Sequence, residues 1–129
     1  MTTKRPVAST AATYYPGQMV SINSSGYIVN AGDTASTLFA GICSEPKELV
    51  VPSGASNGDY IMMVSRPRYF TAKHSGLTIA NIGALATILD NQTVDVAANT
   101  TNDIAAGRIN RFISSTEVEI ETLPFGQNA

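Results

Sequence analysis

The chain has 129 residues, with one cysteine and one histidine, and 8 Lys and Arg against 10 Asp and Glu give it a net charge of −2. This length fits one domain with a hydrophobic core of its own. The charge argues against a basic face for duplex DNA. One cysteine and one histidine exclude an intrachain disulfide framework, a thiolate zinc site and most histidine-based metal or acid–base sites. Only 14% of the residues are charged, so uncharged polar residues must cover much of the surface.

Two patterns that would place the chain in or across a membrane are missing from the sequence. No apolar run approaches the roughly 18 residues of a membrane-spanning helix. Lys4 and Arg5 are basic, but the apolar segment of a signal peptide does not follow them. We therefore expect no membrane partner.

Residues 1–16 differ in pattern from the rest of the chain. They are rich in Thr, Ala and Ser and have no periodic apolar residues, and Pro6 and Pro16 favour extended backbone before them. The pattern predicts an extended N-terminal arm with no partner within its own domain. Tyr14 and Tyr15 would give this arm apolar area for docking on another surface.

Residues 17–129 are predicted to form one β-domain. Short apolar runs are separated by Gly, Asn, Ser and Pro clusters, a spacing typical of an all-β sandwich or barrel. The candidate strands are 17–22, 27–29, 38–43, 49–51, 59–64, 69–72, 77–79, 84–89, 94–96, 108–113 and 117–123. Helix is expected at most as one short turn, within 77–89 or near 102–106.

The last candidate strand alternates between acidic and apolar residues. Glu117, Glu119 and Glu121 share one face, and Val118 and Ile120 share the other. Three interpretations are open: a solvated strand face, a carboxylate pair for acid–base chemistry or a cation, or an acidic ladder paired with arginines of a neighbouring strand or subunit.

A second charged group is Arg66-Pro67-Arg68. In extended backbone both arginines project to one side, and Pro67 belongs on a sheet edge or in a bulge because it has no N–H to donate. The two arginines therefore either bind carboxylates of a partner or, with Pro67, protect a sheet edge against aggregation. Arg108 and Arg111 are expected to face opposite sides of their strand and to form no joint site.

The remaining polar residues are predicted to be structural. His74 and Ser75 precede Gly76 in a turn-like stretch and lack the third group of a catalytic triad. Cys43 lies in an apolar run, which favours a buried thiol. Asp and Asn residues between 90 and 103 favour polar turns over a calcium loop, since their spacing does not match that of an EF-hand. We expect no cofactor, no metal and no enzymatic activity.

Several short motifs between Gly17 and Leu123 occur together in a characteristic order after the low-complexity arm. They are Gly17-Gln-Met-Val-Ser-Ile, Ser25-Gly-Tyr, Ala31-Gly-Asp, Phe39-Ala-Gly-Ile, Gly58-Asp-Tyr-Ile, Gly83-Ala-Leu-Ala, Gly107-Arg-Ile and Glu117-Val-Glu-Ile. In this layout the chain resembles the small β-rich decoration, or cement, proteins of tailed-bacteriophage capsids. The Arg66-Pro67-Arg68 segment has no counterpart in that pattern.

The resemblance implies a structural virion protein, made in the host cytoplasm, that binds the capsid exterior. Such proteins bind the major capsid protein after the shell expands, often as homotrimers, and reinforce the shell against the pressure of packaged DNA. A homotrimer or a dimer is expected here.

The residues expected to contact the shell lie in the arm: Lys4, Arg5, Pro6, Val7, Tyr14 and Tyr15. Candidate intersubunit or capsid contacts are Arg66, Arg68, Glu117, Glu119 and Glu121. An alternative function is a virion-displayed module that binds carbohydrate or a host surface through Tyr27, Tyr60 and Tyr69. A hydrolase that uses the closing glutamates is the third alternative.

Overall fold

A computed structural model describes residues 2–125, and this part of the chain is all-β, with twelve strands and two single-turn 3₁₀ helices. The strands are β1 (Thr2–Pro6), β2 (Ala12–Tyr14), β3 (Met19–Ile22), β4 (Ile28–Asn30), β5 (Leu38–Cys43), β6 (Leu49–Val51), β7 (Ile61–Ser65), β8 (Tyr69–Lys73), β9 (Leu85–Ile88), β10 (Val94–Val96), β11 (Ala105–Phe112) and β12 (Glu117–Thr122). The 3₁₀ helices are Ile79–Asn81 and Ala97–Asn99. Most candidate strands are thereby confirmed. The predicted domain limits also include residue 1 and residues 126–129, which lie outside the described residues.

The strands form two five-stranded sheets and a two-stranded ribbon. The first sheet has the order β1-β7-β5-β3-β4, the second has the order β10-β9-β11-β12-β8, and β2 pairs with β6 as the ribbon. Every strand pair within them is antiparallel. A bridge between Lys73 and Thr93 draws the edges of the second sheet together at one end. Neither sheet closes within residues 2–125, so the domain is layered and is not a barrel.

The first sheet is the middle layer because its two faces supply two different cores. Met19 and Phe39 pack with the second sheet's inner face. Val20, Met62 and Val64 instead pack with ribbon residues. A strand covered on both sides must be apolar on both sides, which explains the unbroken apolar run of β5. β7 is covered only on its ribbon side, by Met62 and Val64, and Ile61 and Met63 remain exposed on its other face.

A bulge in β5 lets this strand serve both cores. Met19, Val20 and Ser21 of β3 pair with Ile42, Gly41 and Phe39, so Ala40 is the extra residue. Gly41 has φ +144°, and a Cβ there would collide with the carbonyl oxygen of Ser65. Only glycine fits this position without moving β7.

The predicted arm is wrong, because residues 2–14 belong to the domain. β1 pairs with β7 over its whole length, from Thr2 opposite Ser65 to Pro6 opposite Ile61. Val7 and Tyr14 are each only 1% exposed and lie in the core between the first sheet and the ribbon. β1 contains no apolar side chain except that of Pro6, so its pairing depends on backbone hydrogen bonds, which leave no hydrophobic pattern in the sequence.

One further expectation is wrong for a local reason. Leu77 is buried, but residues 77–79 do not form a strand, since the chain turns into the first 3₁₀ helix there. The expected short helical turn lies in the first of its two alternative ranges, 77–89, and β11 begins within the second range, 102–106. No helix in residues 2–125 has the length and apolarity needed to cross a membrane.

Loops join the two sheets through backbone hydrogen bonds. The carbonyl of Asn91, in the loop between β9 and β10 of the second sheet, accepts from Met19 N–H of β3 in the first sheet. The Asp33 carboxylate accepts the N–H groups of Thr101 and Asn102 at 2.7 and 2.8 Å. These two bonds lower the pKa of Asp33.

Candidate partner-binding surface

The N-terminal residues expected to contact a partner separate into buried and accessible groups. Val7 and Tyr14 are core residues, and burial raises the pKa of the Tyr14 hydroxyl. Neither can reach a partner while the domain is folded. Lys4 is exposed on β1, and Arg5 and Pro6 are half-buried beside it. Tyr15, which directly follows the ribbon strand β2, is 47% exposed.

β1 is an edge strand with one free side. Within residues 2–125 it pairs only with β7, so the backbone groups that face away from β7 have no protein partner. Such an edge can accept a strand from another chain unless charge or proline guards it. Lys4 and Pro6 disfavour indiscriminate pairing with other strands at this edge, whereas the charge of Lys4 attracts an acidic strand.

An apolar strip lies on the sheet beside this edge. Ile61 and Met63 of β7 are 50% and 39% exposed, and they stand opposite Pro6 and Lys4 in the register. The second sheet covers this face farther along, at Phe39, but not at β7. The sequence reasoning missed this strip, although the unbroken run of residues 60–64 shows that both faces of β7 are apolar.

The two arginines of the 66–68 segment do not form a joint site, and the segment is not an edge strand. It connects β7 of the first sheet to β8 of the second. Arg66 turns inward, where its Nη1 donates to the carbonyls of Phe39 and Ala40 at 3.2 and 2.9 Å and its Nη2 donates to that of Leu123. Arg68 is exposed and pairs with Glu121 across 3.4 Å.

Arg66 also stacks with aromatic rings at the place where the two ends of the described chain meet. Its guanidinium carbon lies 5.5 Å from the ring centroid of Phe39 and 5.4 Å from that of Phe125. The guanidinium carbon of Arg5 lies 4.8 Å from the same Phe125 centroid. We call Arg5, Arg66 and Phe125 the terminal junction. Burial, and then the charge of Arg5, lower the pKa of Arg66.

The acidic ladder on the outer face of β12 is paired with arginines of neighbouring segments. Glu119 accepts from Asn110 at 2.8 Å and from Arg111 at 3.3 Å. These bonds lower the pKa of Glu119. Glu117 stands opposite Lys73 in the register. Of the three interpretations, pairing with an arginine of a neighbouring strand is confirmed for Glu119, whose partner Arg111 is on β11. Glu121 pairs with Arg68 of the segment that leads into β8.

A bulge overturns the expectation that Arg108 and Arg111 face opposite sides of β11. In the register of β11 with β12, Arg108 stands opposite Glu121 and Arg111 stands opposite Glu119, so Asn110 is an extra residue. One extra residue reverses the alternation of side chains. Both arginines therefore share the outer face with the glutamates.

A shallow groove of about 220 Å³ lies where the two sheets meet. Its lining residues are Pro16, Gly17, Gln18, Met19, Thr71, Ala72, Lys73, Asn91, Gln92 and Glu117. Gln18 and Asn91 are already bonded to each other at 2.8 Å. The groove has no aromatic lining residue on which a sugar ring could stack.

Of the tyrosines suggested as a binding platform, Tyr69 lies on a different sheet from Tyr27 and Tyr60, which directly precede β4 and β7. Tyr60 packs against the core between the first sheet and the ribbon. Tyr69 is 40% exposed on β8 of the second sheet, with the Arg68 guanidinium carbon 5.1 Å from its ring centroid. Tyr27 is half-buried beside β4. The structure does not gather the three rings on one surface.

The remaining polar candidates have structural roles. Nε2 of His74 lies 2.9 Å from the carbonyl oxygen of Ser114, and Nδ1 accepts from Leu77 N–H. Cys43 is buried, which raises its pKa. Asp90 accepts the N–H groups of Gln92 and Thr93, as in a polar turn. Residues 2–125 contain no group of three His, Cys, Asp or Glu side chains that could hold a metal ion.

No family model, curated protein or solved structure matches this chain.

Proposed function

We propose that this chain is a structural virion protein that binds the exterior of a phage capsid and stabilises the shell, in line with the sequence resemblance. The observation that carries the proposal is the open edge of β1 with the exposed Ile61 and Met63 beside it. An open edge next to apolar side chains offers both backbone pairing and hydrophobic burial to a partner. The partner proposed is the major capsid protein, with self-association as a trimer or a dimer.

The side chains that an enzyme could use for acid–base chemistry are engaged in other contacts, which favours the structural role. Glu119 and Glu121 are engaged by arginines, and both ring nitrogens of His74 are within hydrogen-bonding distance of backbone groups. A glycosidase needs one free carboxylic acid and one free carboxylate. The hydrogen bonds from Asn110 and Arg111 lower the pKa of Glu119, and its ionised form is unsuitable for a general acid at neutral pH.

Co-sedimentation tests the proposal with expanded capsids that lack this protein, assembled from the major capsid protein of the same genome. We expect saturable pelleting at a fixed number of copies per capsid subunit. Ile61→Asp should abolish pelleting, because it places a charge in the apolar strip. Ile79→Asp is the matched control, since Ile79 is 71% exposed in the first 3₁₀ helix, away from β1 and β7 in the sequence.

Two outcomes would contradict the proposal. Folded wild-type protein that does not pellet would argue against capsid binding, and a glycan array would then test the carbohydrate alternative. Equal loss of pelleting for Ile61→Asp and Ile79→Asp would show that the apolar strip is not the specific contact surface.

A further inference from the structure

The terminal junction carries positive charge that no nearby carboxylate of the described chain offsets. Within residues 2–125, no Asp or Glu oxygen lies within 4.0 Å of a nitrogen of Arg5 or Arg66. The carboxylate of Glu45 accepts the backbone N–H of Met63 at 2.8 Å. Neither β1 nor β7 contains an acidic residue.

The two arginines keep unused hydrogen-bond donors. A guanidinium has five N–H groups. Arg66 gives three hydrogen bonds to carbonyl oxygens, and Arg5 gives none to residues 2–125. These carbonyl bonds and the aromatic rings fix the position of Arg66 without neutralising it. A fixed, partly desolvated guanidinium binds carboxylates more strongly than a mobile one on the surface.

The rest of the edge favours the same partner chemistry. Lys4 is exposed one residue before Arg5, on the strand whose outer side is free. Successive side chains of a strand point to opposite faces, so Lys4 lies on the face of Met63 and Arg5 on the face of Met62. A segment paired along β1 has side chains on both faces as well, and it would therefore pass Lys4 on one face and Arg5 on the other. Phe125, which is 45% exposed, lies against the guanidinium groups of both Arg5 and Arg66.

We propose that the terminal junction and the free edge of β1 bind an extended acidic segment of the partner, with two or more carboxylates facing Lys4, Arg5 and Arg66. This inference rests on the proposed function, in which the partner is the shell subunit. It adds that the contact is acidic on the shell side, whereas the apolar strip alone would fit an apolar segment.

The test uses full-length protein and a defined probe, acetyl-hexaglutamate amide, with acetyl-hexaglutamine amide as the uncharged control. Amide NMR shifts report the site and the Kd at 50 and 300 mM NaCl. We expect hexaglutamate to shift the signals of β1 and Arg66, to bind more weakly at high salt, and to outcompete hexaglutamine. Arg5→Glu should weaken its binding at least about tenfold, or about 1.4 kcal/mol.

Arg108→Glu is the matched control. Arg108 is an exposed arginine of the second sheet whose bond in the described structure is to the carbonyl of Gly83. The Arg108→Glu substitution should leave hexaglutamate binding at β1 unchanged. Arg5→Gln, which only removes charge, replaces Arg5→Glu if thermal melting shows that the charge reversal unfolds the protein.

The same variants in the co-sedimentation assay separate the two proposals. Loss of pelleting for Arg5→Glu, with Arg108→Glu unaffected, supports both. If all variants pellet alike and hexaglutamate does not bind at β1, the protein binds the shell but the acidic partner is wrong. If hexaglutamate binds at β1 and wild-type protein does not pellet, the site exists and the capsid function is wrong.

Discussion

The two sheets differ in what covers them. The first sheet lies between the second sheet and the ribbon, so the residues at its centre are apolar on both faces. The second sheet has one face in solvent, where acidic residues of β12 pair with arginines of neighbouring segments. A sheet with one solvated face shows its orientation through alternating residues, whereas a covered sheet does not.

The largest expected effect comes from deleting residues 2–15, which would expose the first sheet. The deletion removes β1 and β2 together with Val7 and Tyr14, so the core next to the ribbon loses its cover. We expect loss of the cooperative unfolding transition, measured by circular dichroism during heating. A truncated chain that still melts cooperatively near the wild-type temperature would show that this segment is a dispensable arm.

Two adjacent tyrosines test the same point with single substitutions. Tyr14→Ala should lower the free energy of unfolding by about 3–5 kcal/mol, because it leaves a large cavity in the core. Tyr15→Ala should cost under about 1 kcal/mol, since Tyr15 is 47% exposed. Urea unfolding measures both. Equal costs would mean that Tyr14 is not a core residue.

Substitutions of two glycines compare a covered position in the interior of the first sheet with an open position in the turn before β4. Gly41→Ala should cost about 3 kcal/mol, because a Cβ would strain the backbone and meet the Ser65 carbonyl. Gly26→Ala, at φ +90° but in open space, should cost about 1 kcal/mol. Urea unfolding of both variants gives the difference, and a Gly41 cost no larger than that of Gly26 would contradict the bulge in β5.

The smallest effect is expected on the solvated face of the second sheet. The pKa of Glu119 is lowered from its ordinary 4.5 by Asn110 and Arg111, so its pairing stabilises the fold above that value. The stabilisation should disappear as the pH falls below 4.5 toward the lower pKa of the folded state. Glu119→Gln should therefore be less stable than wild type at pH 7, and the difference should shrink at pH 3. A difference that does not change with pH would contradict the pairing.

The sequence was informative wherever burial leaves a pattern. The alternation at Glu117–Thr122 and the runs 38–43 and 49–51 predicted their strands closely. It was not informative for β1, whose residues Thr2–Pro6 pair through the backbone alone. The inward turn of Arg66 was also hidden, because its partners are backbone carbonyls and rings from distant parts of the chain, such as Phe39 and Phe125.

The bulges account for another part of what the sequence could not predict. Each one reverses the alternation of side chains without a mark in the hydrophobic pattern. The shift at Asn110 placed Arg108 and Arg111 on one face. The register shift at Ala40 lets β5 contribute side chains to both cores. The acidic ladder could be predicted because β12 itself runs without a bulge from Glu117 to Glu121 opposite β8.

Hydrogen–deuterium exchange of the protein, free and bound to saturated shells, tests the central claim that β1 is an integral strand whose outer edge is the contact. We predict that peptides covering residues 2–6 are already protected in the free protein and exchange more slowly on the shell, while peptides from β9 and β10 do not change. Fast exchange of residues 2–6 in the free protein, or no further protection at saturation, would contradict the claim.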